Sequence, residues 1–170
     1  SAPVDHVSAY SLIVEDGAVL DVGALEVGNS GAYNVFHVMD GASTTASAEV
    51  VIETLGGNCN NTIYVGTGGV FTAQAGILVK DNVNAFIVDG GVVTNSGQYY
   101  NGSRDSNVTG GGPVLDIVNG GFMRQIGTLR ASPWYMARTR VMNGGVLEAG
   151  PITIGSDGDS GSGGRLIVSN

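Results

Sequence analysis

The 170-residue sequence predicts an all-β fold, a right-handed parallel β-helix (β-solenoid) of about six to seven coils. Three observations predict it. A single short motif returns along the whole chain. Each copy consists of strand-forming residues closed by a turn that needs positive φ. Nothing between the copies shows the 3.6-residue apolar period of a helix.

The motif is two or three apolar residues, an Asp or Asn, one or two glycines or a small residue, and a second apolar run. It reads LIVEDGAVL at 12–20, FHVMDGAST at 36–44, IYVGTGGVF at 63–71, FIVDGGVVT at 86–94, LDIVNGGFM at 115–123 and RVMNGGVLE at 140–148. RLIVSN at 165–170 begins a seventh copy. The aligned glycines are Gly17, Gly41, Gly68, Gly90, Gly120 and Gly144, spaced 24, 27, 22, 30 and 24 residues apart. An Asp/Asn–Gly pair adopts positive φ at little cost and makes a sharp corner. Further strand candidates follow at 24–28, 49–55, 76–81 and 151–155, so each repeat holds two or three short strands. An antiparallel sandwich would use the same dipeptides as hairpin turns, but it has no reason to repeat its sequence. A solenoid does, because equivalent strands stack in parallel, coil on coil. At about 4.8 Å per coil the rod is roughly 30 Å long. Its core column is expected to contain Val14, Val38, Val65, Val88, Val118 and Met142. Asp16, Asp40, Asp89, Asn119 and Asn143 stand just before aligned glycines and are expected to stack as a structural ladder of turns. The change from Asp to Asn along that ladder limits repulsion between like charges.

Composition agrees with short buried strands and tight turns. Gly numbers 29, against an ordinary share of about 7 %, while charged residues make up only 13 % and hydrophobic ones 42 %. A net charge of −8 argues against nucleic acid, whose phosphates reward Lys and Arg, and against an anionic membrane surface. The charges are segregated: residues 1–79 hold eight acids and no Lys or Arg, while 119–140 hold Arg124, Arg130, Arg138 and Arg140 and no acid. The lone Cys59 forms no internal disulfide and reads as a small hydrophobe. No run of about 18 apolar residues is present to span a membrane as a helix. The whole of 1–170 reads as one β-helix domain, or as a segment of a longer solenoid.

FIVDGGVVTNSG, LDIVNGGFM and RVMNGGVLEAGPITIGSDG resemble the passenger repeats of bacterial autotransporters and related surface adhesins. The resemblance covers residues 12 to 170 by pattern. It implies a β-helix on the bacterial cell surface or in the extracellular space, with adhesion or self-association as its task and no catalytic site. Hydrolases and lyases built on β-helices would show paired Asp residues, a His–Gly or clustered acidic calcium ligands, and the sequence has none of these motifs. A glycan-binding or glycan-cleaving β-helix, or a phage tailspike-like fibre segment, is the competing reading.

Candidate ligand residues lie in two stretches read as insertions, 97–112 and 128–139. Neighbouring coils would bring Tyr99, Tyr100, Trp134 and Tyr135 together with Arg104, Asp105, Arg130 and Arg138. Aromatic faces among charged groups suit a sugar; packing of the same aromatics onto the rod is the favoured alternative. His6 and His37 have no Cys or His partner at metal-ligand spacing. Asp157 and Asp159 have calcium-loop spacing, but no ligating Glu follows, and a plain turn is the better reading. No cofactor is expected. The expected partners are carbohydrate, the remainder of a longer solenoid, or a second copy joined end to end, its acidic N-terminal half meeting the Arg-rich end.

Overall fold

In the computed structural model the residues described are 11–29, 33–54, 60–80, 83–102, 112–131, 137–155 and 164–170. They form nineteen strands and no helix. The first coil holds β1 (Ser11–Val14), β2 (Val19–Val22) and β3 (Leu25–Asn29), and the second β4 (Val35–Val38), β5 (Ser43–Ala46) and β6 (Val50–Thr54). The third holds β7 (Thr62–Val65), β8 (Val70–Ala73) and β9 (Gly76–Val79), and the fourth β10 (Ala85–Asp89), β11 (Val92–Asn95) and β12 (Gln98–Asn101). The fifth holds β13 (Val114–Val118), β14 (Phe122–Gln125) and β15 (Leu129–Ala131), and the sixth β16 (Arg138–Met142), β17 (Val146–Ala149) and β18 (Ile152–Ile154). A last strand, β19 (Arg165–Ser169), opens a seventh.

Every third strand pairs in parallel, which makes three sheets. Sheet A has seven strands, β1-β4-β7-β10-β13-β16-β19; sheets B and C have six each, begun by β2 and β3. The chain is therefore a parallel β-solenoid of three-stranded coils. Repeat length varies most where sheet C returns to sheet A, across 30–34, 55–61, 80–84, 102–113, 132–137 and 155–164. The longest of these, 102–113, lies in the 30-residue repeat.

Side chains alternate between the core and the outer face. The inward rows of sheet A include Phe36, Ile63, Phe86 and Leu115, then Val38, Val65, Val88, Ile117 and Val141, all buried. Val118 and Met142, expected in the column, are one place out of register: Val88 pairs with Ile117, and Ile117 with Val141. The cause is the fourth corner, one residue shorter than its neighbours, which brings Asp89 level with Val118 and not with Asn119. An aromatic spine crosses the core edge to face, with Phe36 to Phe71 at 6.4 Å, Phe71 to Phe86 at 5.7 Å and Phe86 to Tyr99 at 6.1 Å. Each such pair adds about 0.5–1.5 kcal/mol to the burial itself.

The corner from sheet A to sheet B is a tight turn. Asp16–Gly17, Asp40–Gly41, Asn119–Gly120 and Asn143–Gly144 all have positive φ at both residues. Each is closed by an i to i+3 bond, such as Ala42 N–H to the Met39 carbonyl at 3.0 Å. This is the type I′ pattern, which short polar residues and glycine adopt with least strain. Gly68 and Gly90 share the positive φ, but the residues before them, Thr67 and Asp89, do not. Asp89 ends a strand and is not a turn residue, a departure from the expected ladder. Gly69, just past its corner, is required by close approach: a Cβ there would sit 2.2 Å from the Val38 carbonyl oxygen of the coil before.

Candidate functional site

Tyr99, Tyr100, Arg130 and Arg138 of the expected ligand surface lie among the described residues; Arg104, Asp105, Trp134 and Tyr135 lie outside them, as do Asp157 and Asp159, Cys59 and His6. The stretches read as insertions begin with sheet C strands: Gln98–Asn101 is β12 and Leu129–Ala131 is β15. That changes the fate of Tyr99. It continues the inward row of Val50, Ile77 and Leu129, is fully buried, and forms no part of a surface. Burial, with the Asp116 charge adding to it, pushes its hydroxyl pKa well above the ordinary value.

Tyr100 faces outward instead, because alternation places it opposite buried Tyr99 and Asn101. It pairs in register with Leu78 on one side and Arg130 on the other, so an aromatic ring and a guanidinium stand one strand apart on the outer face of sheet C. Across the corner, Arg138 opens β16 on sheet A and is exposed. The two sides are tied together: the Asn101 side-chain amide donates to the Arg138 carbonyl oxygen at 3.0 Å. The described outer surface at this corner therefore collects Tyr100, Arg130, Arg138 and, beside Arg138 on the next strand, Arg165.

Sheet A carries a further outward row two residues along, running through His37, Tyr64, Ile87, Asp116, Arg140 and Ile167. His37 lies against Tyr64, ring centroids 5.3 Å apart. The Tyr64 hydroxyl donates to Asp89 Oδ2 at 2.7 Å. Its pKa is pushed up to about 12, first by burial and then by the hydrogen bond to Asp89 and that carboxylate's charge. Asp116 takes a two-pronged bond from Arg140, with Nε to Oδ1 at 2.6 Å and Nη2 to Oδ2. That bond raises the Arg140 pKa further. The sequence reading missed this pair, although opposite charges at equivalent repeat positions 24 residues apart signal it.

The ladder residues have distinct roles. Asn119 Nδ2 donates to Asp89 Oδ1 at 2.8 Å and Asn143 Nδ2 to Asn119 Oδ1 at 3.4 Å. Backbone groups at the corners bond to neighbouring backbone, as with Gly17 N–H to the Asp40 carbonyl at 3.2 Å. Among the described residues these ladder bonds run from side chain to side chain. A second, inward ladder went unread: Asn34, Asn61 and Asn84, each just before a sheet A strand. Its signal is an Asn immediately ahead of the apolar run in three successive repeats.

Among the described residues no three His, Cys, Asp or Glu side chains come together to hold a metal. Among the described residues no helix is long and apolar enough to cross a membrane. Comparison with family models, with curated proteins and with solved structures finds no match.

Proposed function

We propose that this chain is a structural and adhesive β-solenoid module, extracellular or on a bacterial cell surface, that joins further β-structure end to end. One observation carries the reading: the inward rows are uncovered at both ends of the described stack. Leu12 is 54 % exposed, although Phe36 beside it in the same row is 2 % exposed. At the other end Val168 is 72 % exposed, next to Val141 at 6 %. A strand edge with open N–H and C=O groups over apolar side chains is a template for another strand. The motif's likeness to autotransporter passenger repeats supports the surface location. Assembly is favoured over catalysis because the buried carboxylate of the outer face, Asp116, is already held by a two-pronged bond from Arg140.

Light scattering and sedimentation of the 170-residue chain test this reading. The expected result is a mass that rises with concentration and reverts to a monomer in Val168→Lys or Leu12→Lys. A wild-type chain that stays monomeric at about 100 μM, a concentration that would populate any micromolar contact, overturns it.

A further inference from the structure

We propose that the outer face of sheet A at Arg138 and Arg165 is a binding site for a carboxylated polysaccharide, a polymer of uronic-acid type. The two arginines are direct neighbours in register on adjacent parallel strands, so their backbones stand about 4.8 Å apart. Both are exposed. Neither has a carboxylate partner among the described residues, whereas Lys80 pairs with Glu53, Arg124 with Glu148 and Arg140 with Asp116. Like charges placed directly opposite on neighbouring strands destabilise a sheet. Among the described residues no acid stands against this pair, although the chain carries a net charge of −8.

An anion resolves the repulsion. A carboxylate accepts two parallel hydrogen bonds from one guanidinium and reaches a second on the next strand. Arg140, two residues beyond Arg138 on the same face, is neutralised by Asp116, which leaves Arg138 and Arg165 as the cations without an acid partner among the described residues of this face. That pair lies over the same corner as Tyr100 and Arg130, which continue the surface onto sheet C in register. The track thus offers cations for carboxylates and, beside them, an aromatic face for the apolar C–H side of a sugar ring. A sugar polymer with a charge on successive units fits this layout better than a single small anion. The site is independent of end-to-end joining, because outward side chains stay on the outer face whatever pairs with the strand edge.

The test is binding of polygalacturonate, with dextran as the neutral control, by the intact 170-residue chain at low and high salt. Wild type is expected to bind polygalacturonate at least tenfold more tightly than dextran and to lose that preference as salt screens the charges. Arg138→Gln with Arg165→Gln should lose roughly tenfold or more. Arg124→Gln, whose partner Glu148 lies on sheet B, should bind as wild type does. Circular dichroism of each variant confirms the fold. No preference over dextran, or equal binding by the double variant, overturns the site. Tighter binding of a sulfated polymer, or equal binding of polyglutamate, overturns the assignment to a carboxylated sugar.

Discussion

Asn34 gives both its backbone N–H and its side-chain amide to a single oxygen, Oδ1 of Asn61, at 3.0 and 2.9 Å. Asn61 in turn donates its backbone N–H to Asn84 Oδ1 at 2.9 Å, and the Asn84 amide closes on the Lys80 carbonyl at 2.7 Å. Three coils are thereby fastened by amides one strand spacing apart, at the corner where repeat length varies. Asn61 and Asn84 are fully buried. Removing Asn61 leaves the half-buried donors of Asn34 unsatisfied, which costs up to about 1–3 kcal/mol. Asn61→Ala is expected to lower the urea midpoint accordingly, while Asn60→Ala, at an exposed neighbour, should leave it unchanged. Equal midpoints for the two would remove the ladder's structural role.

Glycine is needed for space at some corners and for nothing visible at others. Gly69→Ala drives a methyl into the Val38 carbonyl, and overpacking of this kind costs about 1–3 kcal/mol. Gly23 has no atom within 4 Å of a built Cβ and no positive φ. Gly23→Ala should be neutral, or stabilise by about 0.4–1 kcal/mol through the unfolded chain. Thermal melting of the two variants decides between them.

The Asp116–Arg140 bridge is suited to a double-mutant cycle. Arg140→Ala leaves a carboxylate with 12 % side-chain exposure unpartnered, and loss of a charged hydrogen-bond partner costs about 1.5–3 kcal/mol. Adding Asp116→Ala should recover part of that loss, giving a coupling energy of about 0.5–3 kcal/mol. Additive single-variant effects would show that the bridge contributes shape and not charge.

Alkaline stability should carry the mark of Tyr64. Its folded pKa is about 12, against about 10 in an unfolded chain. Between those values the native state keeps a proton that the unfolded state has released. The contribution is therefore complete below about pH 10 and is lost as pH rises towards about 12. Buried Tyr99 is shifted in the same direction. Tyr64→Phe should thus flatten, without abolishing, the fall in denaturation midpoint across that window. An unchanged slope would mean that the Tyr64 to Asp89 bond does not persist in solution.

The parallel coils, the strand at the start of each repeat and the glycine corners follow from the sequence by itself, because they are local and repeated. A strand of alternating apolar residues and an Asp/Asn–Gly turn need only neighbours along the chain, and recurrence tells which segments stack. What depended on contacts across the stack was decided only in three dimensions. Val118 and Val88 look equivalent beside their glycines, yet one residue fewer in the fourth corner makes Ile117 the core partner. Tyr99 and Tyr100 look alike in a polar stretch, yet strand pairing buries the first and turns the second outward. The Arg138–Arg165 pair spans 27 residues and could not be recognised until the sixth and seventh coils were laid side by side. A period of two assigns faces only once the register is known, and register in this solenoid is set by corner lengths that the repeat pattern alone does not measure.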